Sequence, residues 1–218
     1  TDRSGALFRI TDFFLGMRHS AQTFRVHSQT ETTCGSFHGV QMPPKKFVDC
    51  TSAMTGEIVQ IPVEPIEDRP SVYAIIWWGA NLLMVRSALT GRLFFPGGGI
   101  EPGEDPKEAL RREVREETSK GCIVGEFWSS YVNYVYADFE DTAWREAHPE
   151  YVNVAWRVEL ALYKCNIVGH ASPPVSNDPD EGQPEWVDVR NVDPDELQDI
   201  AKTIVPVLLA DRLQELRS

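Results

Sequence analysis

Residues 98–120, GGIEPGEDPKEALRREVREETSK, decide how the rest of the chain is read. Asp105 suits an N-cap, Pro106 the first helical position and Glu108 the third position of a capping box, so the spacing predicts a helix starting near Pro106. On that helix Glu113, Glu116 and Glu117 stand at i, i+3 and i+4 and share one face, while Leu110 and Val114 turn another face inward. Like charges crowded this way cost about 0.2–0.5 kcal/mol per pair, and acids near a helix C-terminus are disfavoured further. A cation is therefore expected among them. Hard oxygen ligands select Mg²⁺ or Mn²⁺, which bind through carboxylates, water and substrate phosphates. Taken alone, the helix also fits a solvated acidic face with Arg111, Arg112 and Arg115 interleaved.

The flanking residues separate the two readings. Phe94, Phe95 and Pro96 lead into Gly97, Gly98 and Gly99, and Pro102-Gly103-Glu104 leads into the cap, a glycine-rich approach that lets main-chain groups come close to a ligand. The whole stretch resembles the Nudix box, G-x5-E-x7-R-E-U-x-E-E-x-G-U with U aliphatic. It matches at Gly98, Glu104, Arg112, Glu113, Val114, Glu116 and Glu117. The last two positions depart, with Ser119 in place of glycine and Lys120 in place of an aliphatic residue. Gly121-Cys122 supply that pair two residues later, which predicts a helix running further to a glycine C-cap.

The resemblance implies an α/β fold, the Nudix-type α/β/α sandwich with a mixed sheet, and hydrolysis of a nucleoside diphosphate-linked substrate by water attacking phosphorus. It implies that Glu113, Glu116 and Glu117 hold one to three Mg²⁺ or Mn²⁺ ions, that Gly98 adds its carbonyl, and that Arg112 and Glu104 orient the carboxylates with Gly97 in support. Diphosphate hydrolysis asks little covalent chemistry of a protein and much positioning of charge. Residues 181–186, EGQPEW, are similar to the segment that carries a fourth metal-binding glutamate in MutT-type enzymes, one residue shorter. That match makes Glu181 a distal acid and a candidate general base, with Glu113 the alternative. Asp178, Asp180, Glu181 and Glu185 also fit a solvated acidic loop.

Substrate signals are thinner. Ala201-Lys202-Thr203 stand where MutT-type enzymes place a base-reading Asn. Tyr136 lies sixteen residues beyond Lys120, near a tyrosine position of diadenosine polyphosphate hydrolases. Tyr136, Arg86 and Trp144 are the substrate-binding candidates. Trp77, Trp78, Trp128 and Trp144 have faces for stacking on a base, but at these positions each is expected in the core. The substrates in view are ADP-ribose, a nucleotide-sugar, a dinucleotide polyphosphate or a nucleoside triphosphate. From a different class, a Nudix-derived domain that senses nucleotide without cleaving it is the alternative.

Around the box, 72–78 and 82–86 flank Gly79-Ala80-Asn81 as a hairpin, and 122–136 and 151–164 are long β-rich runs. Residues 138–150 are a polar loop of lid length, and 169–184 a Pro, Gly and Asp-rich loop before a strand at 185–189. Asp193 opens a second capping box, and Pro206 is expected to divide the C-terminal helical region in two. Residues 1–68 read as a β-rich N-terminal extension and 69–218 as the Nudix domain, with Pro62, Pro65 and Pro70 punctuating a linker. ADP-ribose and nucleotide-sugar pyrophosphatases often dimerise through such an extension, so a homodimer is among the expectations.

The chain has 218 residues, 42% of them hydrophobic, enough for a substantial core. A net charge of −12 opposes long contacts with nucleic-acid backbone, while a single nucleotide is still held through metal. No run of 18 apolar residues occurs, so no membrane is expected as a partner, and the reading is cytoplasmic. Cys34, Cys50, Cys122 and Cys165 are too sparse for a disulfide scaffold, and Cys34 with His38 and Cys50 leaves a zinc site short of ligands.

Overall fold

A computed structural model describes residues 27–28, 46–52, 55–62, 66–87, 90–136, 154–169, 175–176 and 182–215. Ten strands, β1 (His27–Ser28), β2 (Lys46–Ser52), β3 (Ile58–Pro62), β4 (Ile66–Trp78), β5 (Asn81–Arg86), β6 (Leu93–Phe94), β7 (Gly97–Gly99), β8 (Cys122–Tyr136), β9 (Ala155–Ile167) and β10 (Gln183–Asp188), form one sheet. Helix α1 (Pro106–Thr118) and helix α2 (Asp199–Glu215) flank it, with a short 3₁₀ turn at Pro194–Glu196. The strand order is β1-β2-β8-β9-β4-β5-β10, with β3 on β2, β6 on β5 and β7 on β4. The β4–β9 and β2–β8 pairs are parallel and the others antiparallel, which makes the sheet mixed.

Alternation along β4 builds the two layers. Val72, Ala74 and Ile76 pack toward α1 with Leu83, Leu110 and Val114, whereas Tyr73 and Ile75 pack on the other side with Ile200, Ile204 and Leu208 of α2. Residues 72–76 are all buried, as a central strand covered on both faces requires. This is the α/β/α sandwich. The hairpin forms at Gly79-Ala80, where Trp77 pairs with Leu82 and Trp78 with Asn81.

Three sequence expectations change here. Pro70 is not in a linker: β4 already runs from Ile66, Pro70 pairs with Glu159, and its carbonyl accepts from Ile100 N–H at 3.0 Å. A proline fits where the strand's other groups make the ladder and its carbonyl alone is used. Pro206 does not divide the last helix, which is continuous, because the residue lies on the exposed side and water can reach the carbonyl it leaves without a donor. Asp193 caps the 3₁₀ turn, accepting from Asp195 N–H at 2.9 Å. Of the indoles expected in the core, Trp77 and Trp128 are partly buried, but Trp78 is 55% exposed at the hairpin end beside Trp186. Among the described residues no helix is long and apolar enough to cross a membrane.

Candidate active site

Helix α1 begins as its sequence directs. The Asp105 carboxylate accepts from Lys107 N–H at 3.0 Å and Glu108 N–H at 3.3 Å, and Pro106 occupies the first turn, where its missing N–H costs nothing. Glu108 does not complete the capping box; its carboxylate pairs with Arg111. The helix also ends earlier than expected. Ser119, at φ 54 and ψ 21, is a left-handed C-cap whose N–H donates to Arg115 O at 2.9 Å, so Ser119 takes the conformation that a glycine takes cheaply. The chain must turn there because Cys122 already pairs with Ile167 and Val168 N–H reaches Gly121 O at 2.8 Å.

Strand β7 lies antiparallel to β4, with Gly97 opposite Tyr73, Gly98 opposite Val72 and Gly99 opposite Ser71. At Gly97, φ 143, a Cβ would sit 2.7 Å from Tyr73 Cα and 2.8 Å from Tyr73 Cδ1. Only glycine lets the main chain lie this close to the tyrosine. That approach aims Gly97 N–H at Glu117 Oε2, 2.9 Å away. Glu117 is thereby fixed from the sheet while its helix packs on the same sheet.

Arg112 organises the other carboxylates. Its Nε and Nη2 donate to the two oxygens of Glu104 at 3.0 and 2.8 Å, a fork on a fork, and Nη2 also reaches Gly99 O at 3.2 Å. Its Nη1 donates to Glu113 Oε1 and, at 3.4 Å, to Glu116 Oε2. Glu104 is held in turn by Glu101 N–H at 3.1 Å. The hydrogen bonds from Arg112 keep the Glu104 carboxyl below its ordinary range, and Glu104 leads the groups that raise Arg112 well above its own. Glu113 and Glu117 are 2% and 5% exposed, whereas the Glu116 side chain is 20% exposed and lies at the edge of the cluster.

The chain matches the NUDIX domain family model over residues 67–208. It belongs to the Nudix family. Among curated relatives of this Nudix chain, the Nudix hydrolase 25 of Arabidopsis thaliana is 42% identical over 73 residues, covering 33% of this chain and 41% of the relative. An RNA pyrophosphohydrolase of Nitratiruptor sp. is 43% identical over 74 residues, covering 29% and 47%. A nucleoside triphosphatase NudI of Salmonella schwarzengrund is 49% identical over 41 residues, covering 19% and 29%. The chain thus spans less than half the length of each of these relatives. Similar solved structures include a MutT protein from Methanosarcina mazei Go1, with 19% identity, a TM-score of 0.48 and coverage of 68% of this chain and 97% of that one. An ADP-ribose pyrophosphatase from Streptococcus suis has 15% identity, a TM-score of 0.47 and coverage of 66% and 91%.

The Nudix helix and its approach therefore bring together Gly97, Gly98, Glu104, Arg112, Glu113, Glu116 and Glu117. Two other candidates lie elsewhere. Arg86 pairs with Glu185 at 2.6 Å and Glu196 at 2.8 Å and donates to Gly91 O at 2.8 Å, on the α2 side of the sheet. Tyr136 ends β8 opposite Ala155, packed with Val48 and Cys50 of β2, five residues along the sheet from the strand positions facing Gly99. Trp144 and Glu181 lie outside the described residues. Gly182 does not: a Cβ there would meet Arg86 C and Val85 Cγ1 at 2.9 Å, so the chain leaving Glu181 is pressed against the end of β5.

Tyr73 is the participant that sequence reasoning missed. Fully buried and edge-on to Phe94 at 4.8 Å, it forms the surface on which Gly97 rests. Burial raises its hydroxyl pKa, with Glu117 and Glu113 adding to that against the pull of Arg69. In an apolar run of 72–78 nothing distinguishes this tyrosine from a core residue.

Proposed function

We propose that this chain is a divalent-cation-dependent hydrolase of phosphoanhydride bonds in nucleoside diphosphate-linked substrates, with Glu113, Glu116 and Glu117 as the ion-holding residues. The observation that carries the reading is the double tether of the Nudix helix: Gly97 N–H holds Glu117 from the sheet, and Arg112, anchored on Glu104, holds Glu113 and Glu116. The donor set is hard carboxylate oxygen, which suits Mg²⁺ or Mn²⁺, one to three ions, with the Gly98 carbonyl and Glu181 as further ligands. Bound there, such ions would neutralise phosphate charge and lower the pKa of a bound water. The protein's own part is to keep three acids at one helix end despite their repulsion, to place main-chain groups of β7 against the substrate, and to supply the base, Glu181 or Glu113.

The Ser119-Lys120 end of the box, which departs from the Nudix pattern, favours as a second reading a nucleotide sensor that binds without cleaving. The two separate cleanly. Purified protein with Mg²⁺ or Mn²⁺ is offered ADP-ribose, nucleotide-sugars, dinucleotide polyphosphates, nucleoside triphosphates and 5′-triphosphate RNA. A nucleoside monophosphate or phosphate product that disappears in Glu117→Gln supports the hydrolase; saturable binding in calorimetry with no product on any substrate supports the sensor. The substrate class is a small nucleotide, consistent with the net charge of −12. The reading places the protein in the cytoplasm, with the N-terminal strands as its dimer surface.

A further inference from the structure

Cys122 and Cys165 stand on neighbouring strands, β8 and β9, on the face of the sheet that carries the Nudix helix. Cys122 pairs with Ile167 and Val124 with Cys165, so the two cysteines are diagonal neighbours in an antiparallel ladder. Both thiols are free, 7% and 5% exposed, and both pack in one cluster with Ala109, Leu110 and Val114 of α1. A buried free cysteine is ordinarily a small core residue whose thiol stays protonated. Cys50, packed with Val48 and Ala155, is such a group.

The Cys122 and Cys165 pair departs from that pattern. The two sulfurs lie within hydrogen-bond reach of each other, and the Cys165 S–H has the Cys122 sulfur and Tyr163 O, at 3.5 Å, as acceptors. A bulge between Val124 and Phe127 brings Gly125 so close to β9 that a Cβ there would meet Lys164 O at 2.8 Å, and it turns the Gly125 N–H toward the Cys165 sulfur. The Arg111 guanidinium adds positive charge beside both. The hydrogen bond from Cys165, with Arg111, holds the Cys122 thiol below its ordinary value against the effect of burial, whereas the same bond and burial push Cys165 up. One sulfur is thus prepared as a nucleophile while its neighbour keeps the proton, an unequal dithiol.

We infer that Cys122 and Cys165 are a redox-sensitive pair that closes to a disulfide when the protein meets a hydroperoxide, and that closure moves the C-terminal turn of α1. The Cys122 sulfur attacks one peroxide oxygen and the O–O bond breaks; Cys122 becomes a sulfenic acid, and the other oxygen leaves as water with the thiol proton. The Cys165 sulfur then attacks the sulfenyl sulfur, the S–S bond forms, and the hydroxyl leaves with the Cys165 proton as a second water. The two thiols lose two electrons and two protons, and the peroxide takes them up. Diagonal neighbours stand about 7–8 Å apart at Cα and a disulfide spans at most about 6.8 Å, so closure draws the strands together by about 1 Å. Cys122 yields more readily: it is the first residue of β8 and follows the exposed Gly121, whereas Cys165 is flanked by Val124 on one side and Ile76 on the other. Only Ser119, Lys120 and Gly121 link Cys122 to Thr118, so the shift passes to the helix end that carries Glu116 and Glu117. The pair stands whether or not the chain hydrolyses nucleotides.

The test treats the whole reduced chain with hydrogen peroxide at neutral pH, and peptide mapping by mass spectrometry follows each cysteine. Expected is a peptide cross-linked between Cys122 and Cys165, reversed by dithiothreitol and formed at least about tenfold faster than any product at Cys50. The cross-linked form should show altered amide exchange over residues 114–121. Single variants should be unequal: Cys165→Ser leaves a Cys122 sulfenic acid that dimedone traps, and Cys122→Ser leaves Cys165 unoxidised over the same time. The wild-type mapping decides even where a serine variant fails to fold. The proposal is overturned if native protein gives no such peptide, if the cross-link forms only after unfolding in urea, or if Cys122→Ser is oxidised as fast as Cys165→Ser. It is overturned equally if the cross-linked chain exchanges over 114–121 as the reduced chain does, the result for two core cysteines whose contact reaches no further.

Discussion

A hydrogen atom where other residues carry a Cβ lets Gly97 rest on Tyr73 and point its N–H at Glu117. The clash in Gly97→Ala involves main chain as well as a buried ring, so it cannot be relieved by rotating a side chain. It is expected to cost about 3 kcal/mol, read as a lower urea midpoint, and to abolish turnover; an unchanged midpoint would contradict the contact. At Arg112 and Glu104 the expectation concerns pH. The Glu104 carboxyl is held below its ordinary 4.5, so its contribution to stability is whole above that value and lost as pH falls through the lower folded value. Arg112 is raised above the usual guanidinium range, chiefly by its hydrogen bonds to Glu104, so its share is whole through neutral pH and lost only in strong alkali. The clamp therefore limits the acid side alone: stability should fall below about pH 4.5, and Glu104→Gln should flatten that limb of a denaturation-versus-pH curve. Arg112 and the three helix glutamates were legible because helix geometry sets their spacing, and Glu104 because it holds its place in the box ahead of the cap. Tyr73 was not, because its part in the site follows from which strand lies beside β7.

At the scale of elements, the sequence marked where α1 starts more faithfully than where it stops. Starting signals are local: Asp105 caps and Pro106 follows. The stop depends on where β8 must begin to pair with β9, and that demand forces Ser119 into the left-handed region at φ 54. A non-glycine residue there costs roughly 1 kcal/mol. Ser119→Gly should recover about that much, raising the thermal midpoint without altering turnover. If the midpoint falls instead, the hydroxyl is making a contribution that the cap geometry does not account for. Pro206 teaches the same lesson in reverse: a local breaker is overridden when the flanking Ile204, Val205 and Leu208 are buried and the proline itself faces water.

For the whole molecule, the sheet passes through the boundary that composition suggested near residue 68. Strand β4 starts at Ile66 beside β9, and β2 continues the sheet by pairing in parallel with β8, Thr51 opposite Val135 and Ser52 opposite Tyr136. Such pairings join residues more than 80 positions apart in sequence, and no local pattern encodes them. The packing follows the ladder: Val48 and Cys50 of β2 are buried against Ala155, with Tyr134 and Tyr136 partly buried around them. The Cys50 thiol, pushed up to about 12 chiefly by burial, is a packed group there and stays protonated at neutral pH. If these strands share one core with the Nudix sheet, a cavity made among them must destabilise the whole unit. Val48→Ala is expected to cost about 2 kcal/mol, lowering the midpoint by roughly 4–8 °C for a unit of this size while calorimetry still shows a single transition. Two transitions, only the lower one shifted, would mean that β2 and β3 melt apart from the sheet they extend, and that the hydrogen bonds at Thr51 and Ser52 do not couple them.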